Sequence, residues 1–211
     1  MNRNRISCRT IALLAAFGAF SVAPAVQALG PLDAEAGVLW WSHDVDTADL
    51  GSSDADGTGA YAELWWAEGW GLAADYYKSD PDRRGFGDTT DFSVDVKRRV
   101  LSPTENNFIA LGVGWQDAEL VGGHTTEGVR LTADARVGLG ILHAYGRAVW
   151  MPDLGDAGPR DDISGHEYQV GVSFTPFPFL NLRAGYRIRE LDYDGGSEEA
   201  DGYLLAGAIH F

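Results

Sequence analysis

"GVRLTADARVG", residues 128–138, decides the fold. Val129, Leu131, Ala133, Ala135 and Val137 take alternate positions, and Arg130, Thr132, Asp134 and Arg136 fill the places between them. Successive side chains of a strand leave on opposite faces, so this stretch is a strand with one apolar face and one charged face. Helical spacing would scatter both sets around the axis.

The same period of two recurs in both directions along the chain. It is found at residues 32–42, 60–68, 71–79, 90–100, 107–116, 141–151, 165–175, 180–190 and 202–211, which makes ten segments in all. No helical period is sustained, and the 27 glycines weigh against helix because each costs backbone entropy there. Connections after the odd segments are long and mostly acidic, as in "HDVDTADLGSSDADGTG" and "LDYDGGSEEAD"; those after the even ones are short, "GW", "LSPTEN", "LG" and "PFPF". Long and short connections therefore belong to opposite ends of one structure.

Before the first segment, Arg3, Arg5 and Arg9 precede an apolar run from Ile11 to Val22 and then Val26-Gln27-Ala28. This is the pattern of a cleaved secretory signal peptide over 1–28, leaving one domain over 29–211. Removing it takes away three arginines and no acid, so the formal charge moves from −15 to −18. Such a chain repels phosphate at long range, which argues against nucleic-acid binding. Cys8 leaves with the leader, so disulfides and thiolate metal sites are not expected. No later apolar stretch is long enough for a transmembrane helix.

An even number of amphipathic segments of about ten residues, with unequal connections at the two ends, is the pattern of a transmembrane β-barrel. A sheet in lipid must close, because an edge strand would leave backbone N–H and C=O groups unsatisfied in hydrocarbon. The last segment, "GYLLAGAIHF", sets Tyr203, Leu205, Gly207, Ile209 and Phe211 on one face. It resembles the assembly signal of Gram-negative outer-membrane β-barrel proteins. Signal, strands and turns together are similar to the small barrels of OmpA-like, OmpX-like and YfaZ-like type. The resemblance implies an all-β, closed antiparallel up-and-down barrel of about ten strands, with eight as the alternative. It also implies outer-membrane lipid and lipopolysaccharide as surroundings and the barrel-assembly machinery as a partner. A soluble lipocalin-type barrel would alternate equally. Against it stand the loop asymmetry and the aromatics Trp40, Trp41, Trp65, Trp66, Trp70, Trp115, Trp150, Tyr76, Tyr77, Phe177 and Phe179, which lie at segment ends where interfacial girdles form.

With the apolar faces in lipid, the interior receives Glu35, Glu63, Asp75, Asp95, Lys97, Arg130, Asp134, Arg136, Arg147, Glu167, Arg183, Arg187 and Arg189. A ten-stranded barrel is little wider than the eight-stranded ones that side chains fill, so the expectation is a packed, ion-paired lumen and a structural or surface-interaction role. The alternative is a narrow porin-like channel for ions or small solutes. Five acidic loops are expected outside, holding divalent cations loosely; "SSDADGTGAYAE" places Asp54, Asp56, Gly57 and Glu63 at four positions of a calcium loop but lacks its first carboxylate. No cofactor, specific metal site or catalytic residue is expected. The enzymatic alternatives are an omptin-type protease, for which His43 beside Asp44, His124 and His166 are the candidates, and a lipid A-modifying enzyme, which the inward-facing His143 and His210 do not suit.

Overall fold

The computed structural model describes residues 32–66, 69–83, 85–104 and 107–211; the leader expected over 1–28 lies outside them. Ten strands form: β1 Asp33–Thr47, β2 Gly51–Trp66, β3 Trp70–Pro81, β4 Thr89–Thr104, β5 Asn107–Leu120, β6 His124–Leu139, β7 Leu142–Asp153, β8 Ser164–Phe177, β9 Leu180–Tyr193 and β10 Gly196–His210. Each pairs antiparallel with its neighbours, and β1 pairs with β10 to close the barrel. Eight strands, the alternative, is thereby excluded.

Register fixes the girth. From Leu39 the pairing runs through Gly59, Tyr77, Asp91 and Ala118 to Thr126. In the other direction it runs through Ala206, Arg183, Ser173 and His143 to Gly138. The two arrivals on β6 differ by twelve residues, the stagger of the barrel, which for ten strands gives a tilt of about 40°.

Allowing for that stagger, the outward side chains fall into levels. Val129 to Leu139 on β6 spans about 33 Å of strand and about 25 Å of barrel axis, the height of a hydrocarbon band. At its upper edge Trp40, Tyr76, Phe92, Trp115, Trp150, Tyr168, Tyr186 and Tyr203 form one ring on the outer face; Trp66, Trp70, Phe174, Phe177 and Phe179 mark the lower edge. Trp41, Trp65 and Tyr77, expected among the girdle aromatics, instead face inward and are buried. Each is next in sequence to an outward aromatic, and neighbours on a strand cannot share a face.

The acidic connections also differ from expectation. Most of their residues are strand: β1 and β2 are joined by Ala48–Leu50 alone, and β9 and β10 by Asp194 and Gly195. The strands thus rise above the band, and there the polarity of their faces inverts. Outside, Trp40 gives way to Asp44, Trp115 to Asp117, Val129 to Glu127, Ile188 to Glu190 and Tyr203 to Asp201. Inside, charged residues give way to Val45, Ala55, Leu120, Met151 and Leu191, which pack with Phe86, Val121, Leu154, Ala157 and Ile163 from the connections. Water replaces lipid outside, so the sheet above the band follows the ordinary rule of apolar inside and polar outside.

Candidate functional site: the lumen

All thirteen interior residues named from the sequence face the lumen, brought there by strand alternation. They assemble into a ladder of ion pairs. At mid-height Arg130 donates from Nε and a terminal nitrogen to both oxygens of Asp95, at 2.8 and 2.7 Å. Asp95 is fully buried and fits because Gly114 lies opposite; a Cβ there would strike its carboxylate. Below it, Arg147 bridges Asp134, 2.8 Å away, and Asp75, 3.2 Å away, and Lys97 Nζ stands 2.8 Å from Asp134. Near the lower mouth Glu35 accepts from Tyr61 Oη at 2.9 Å, from Asn181 Nδ2 at 2.7 Å and from Arg183.

Higher up, Arg187 donates to Glu167 at 2.6 Å and lies over the rings of Trp41 and Tyr77, while Arg189 stands 2.9 Å from Asp91. Gln116 links two rungs, donating to Asp91 at 2.7 Å and accepting from Arg130. Planar guanidinium groups suit this role because one fork can satisfy two carboxylate oxygens. The sequence reading of the interior missed Asp33, Asp91, Arg99, Gln116 and Asn181. All lie in phase with the inward set, so extending the alternation to the ends of the strands would have found them.

Both ends of the lumen are obstructed. At the lower mouth Asp33 joins His210, 2.7 Å away, to Arg99, 3.1 Å away, whose guanidinium lies over the paired rings of Trp65 and Phe108. At the upper end the β7–β8 connection folds inward over the apolar cap. Arg160 enters with it, lies over Tyr193 and donates to Glu198 at 3.2 Å, and Glu198 also accepts the Val121 amide. The connection returns through Asp162, whose φ of 53° is the left-handed conformation an aspartate tolerates, and the Asp162 amide donates to Asp156. Between the obstructions a cavity of about 70 Å³ remains, lined among others by Glu63, Asp75, Arg136, Tyr145, Arg147 and Arg183.

The histidines do not assemble as a dyad. His43 points inward and Asp44 outward. The His43 Nδ1–H donates to the Trp41 carbonyl at 3.3 Å, which leaves Nε2 to accept from Ser79 at 2.9 Å or Tyr77 at 3.3 Å; burial lowers its pKa to about 4, so it is neutral at pH 7. His166 is on the outer face 3.2 Å from Glu190. His124 opens β6 in phase with its inward face, exposed at the upper rim beside Gly158, His143 is buried near the lower end, and His210 belongs to the lower-mouth bridge. The calcium-loop pattern fails as well, because Asp54 and Asp56 face outward and Glu63 inward on a single strand. Among the described residues no group of three or more His, Cys, Asp or Glu has the geometry of a metal site.

The assembly-signal residues Tyr203, Leu205, Gly207 and Ile209 lie on the lipid-facing side of β10. Phe211 continues the ladder, exchanging both backbone hydrogen bonds with Ala34 of β1.

No protein-family model matches the chain, and no curated protein matches it. Among solved structures it is similar to the outer membrane protease OmpT from Escherichia coli, with a TM-score of 0.56 and 9% identity over 85% of this chain and 96% of that one. Weaker matches are Neisserial surface protein A (TM-score 0.43, 14% identity, 85% and 97% covered) and Ail, the attachment invasion locus protein of Yersinia pestis (0.39, 13%, 85% and 98%). The likeness to OmpT is one of fold, that of the outer-membrane β-barrels, and the two weaker matches add no argument.

Proposed function

We propose that the chain is an integral protein of a Gram-negative outer membrane whose lumen is closed and whose role is structural or one of surface interaction. The observation that carries this reading is the filled interior: an ion-paired ladder in the band, an apolar cap above it and a salt-bridged lower mouth. A path for ions would have to displace several buried pairs, and removing one partner of such a pair leaves a charge without compensation. The face offered to a partner is then the acidic wall of the sheet above the band. Lipopolysaccharide would meet that wall with divalent cations between carboxylate and phosphate. Export through the 1–28 leader and reading of the last strand by the barrel-assembly machinery belong to the same proposal.

The reading takes the protein as non-enzymatic. It is supported by the opposite orientation of His43 and Asp44 and by the burial of His43 against Ser79 and Tyr77. The alternative is a narrow channel, favoured only by the mid-lumen cavity. Reconstitution into planar bilayers, with heat-modifiable gel mobility as the check on folding, decides between them. Folded protein without current is expected; stable conductance steps would overturn the closed lumen, and cleavage of a basic peptide by the folded barrel would overturn the non-enzymatic reading.

A further inference from the structure

Two charges in the lumen stand apart from the ladder. The other cations inside the barrel have a carboxylate within hydrogen-bonding distance, as in Arg130–Asp95, Arg147–Asp134, Arg187–Glu167 and Lys97–Asp134. Arg136 has none: its nearest acid among the described residues is Glu35 at 3.9 Å, and that carboxylate already accepts from Tyr61, Asn181 and Arg183. Glu63 is the counterpart, with Lys97 3.6 Å away and that lysine held closer by Asp134. Both side chains keep about a fifth of their surface open, and both line the same cavity of about 70 Å³. Arg136 is on β6 and Glu63 on β2, four strands apart in a ring of ten, so the two charges face each other across the lumen.

We propose that this cavity is a binding site for a small zwitterion of the size of an α-amino acid, its carboxylate taken by Arg136 and its ammonium by Glu63. A guanidinium offers a carboxylate two parallel N–H donors, and a carboxylate accepts from an ammonium, so each pole finds the partner its chemistry needs. A simple anion would satisfy Arg136 but leave Glu63 facing it, and a simple cation would do the reverse. Of the rest of the wall, Asp75, Asp134, Arg147 and Arg183 are already paired within the ladder, while Leu39, Leu204 and Ala206 supply apolar contact for a short aliphatic body and Tyr145 supplies a hydroxyl. A volume of this size holds only a few heavy atoms, so the site excludes large side chains. Entry requires the lower-mouth bridge to open, at Asp33 and His210, which remain about two-fifths exposed, since the upper end is sealed by the apolar cap.

The test uses the full chain, expressed and extracted into detergent, and follows its thermal unfolding midpoint at constant ionic strength. Millimolar glycine should raise the midpoint saturably, by about 2–4 °C. Sodium acetate and methylammonium chloride at the same concentration should not. Glu63→Gln and Arg136→Gln should each abolish the response to glycine. Ala206→Leu, which fills the cavity and keeps both Glu63 and Arg136, should abolish it too and serves if either charge variant does not fold. An acetate response equal to that of glycine would overturn the zwitterion in favour of an anion. No saturable response, or a linear rise that Ala206→Leu shares, would show that the cavity holds water only.

Discussion

Replacing Asp95 by Asn keeps the shape of the side chain and removes the charge that holds Arg130. Arg130 is almost fully buried and donates two hydrogen bonds to Asp95, so the substitution strands a guanidinium in the middle of the band. Breaking a buried pair on one side costs about 3–5 kcal/mol. Asp75 stands 3.9 Å from the same guanidinium and keeps part of the compensation, which places the expected loss near the lower end, about 3 kcal/mol. Removing both charges, Asp95→Leu with Arg130→Met, should cost about 1 kcal/mol or less, because the pair's own desolvation is relieved with it. Urea unfolding of the barrel in lipid vesicles measures these forms together with Asp95→Leu and Arg130→Met alone, and the cycle of those two singles with their double gives the coupling between the two residues. A loss below about 1 kcal/mol for Asp95→Asn, or additive losses in the double variant, would refute a lumen in which charges are held by one another rather than by water.

Four further outcomes follow from the same geometry. Burial holds the His43 pKa at about 4, so between about pH 6.5 and pH 4 the unfolded chain takes up a proton that the native one does not; stability should fall as pH drops through that window, by up to ~3 kcal/mol, and His43→Gln should flatten the profile. Asp44 lies directly across from Asp54 and Asp201, and sharing with Asp54 raises its pKa, so Asp44→Asn should raise the unfolding midpoint at pH 7, with a gain that shrinks in acid and in high salt. Arginine at Val113, inside the band, should cost about 2–4 kcal/mol by depth alone, whereas arginine at Asp117, on the same face of β5 above it, should cost about 1 kcal/mol or less; equal costs would mean that the boundary at Trp115 is misplaced. Trypsin should leave Arg160 uncut in the native barrel and cut after it in Glu198→Gln, which unfastens the β7–β8 connection; equal resistance would show that the apolar cap alone holds it.

Much of the architecture can be read from alternation, because in a barrel each residue's face is set by parity. "GVRLTADARVG" separates lipid-facing valine, leucine and alanine from lumen-facing arginine and aspartate without reference to any other segment. Parity also explains the misplaced aromatics: Trp41, Trp65 and Tyr77 each neighbour an aromatic on the opposite face, and composition at a segment end does not say which of the two points outward. The extent of the strands was hidden by the change of solvent. Above the band Asp44 and Asp46 alternate with Val45 and Thr47 as regularly as Ala34 and Ala36 alternate with Asp33 and Glu35, but with reversed polarity, so the run of acids reads as a loop. The pairings inside were not legible, since which arginine meets which carboxylate depends on the stagger between strands, and the partners range from adjacent strands, as in Arg187–Glu167, to strands five apart, as in Arg189–Asp91.

The inversion of polarity at the upper aromatic ring also sets the depth at which the barrel can ride. Moving the molecule one residue pair further into the bilayer would carry Asp44, Asp117, Glu127, Glu190 and Asp201 together into the hydrocarbon, and moving it outward would expose the whole aromatic ring. Vertical displacement is therefore stiff all the way round. In a membrane of the wrong thickness the lipid must deform to meet this barrel, at a cost of fractions of a kcal/mol per Å of mismatch, which makes the protein a fixed gauge of local bilayer thickness.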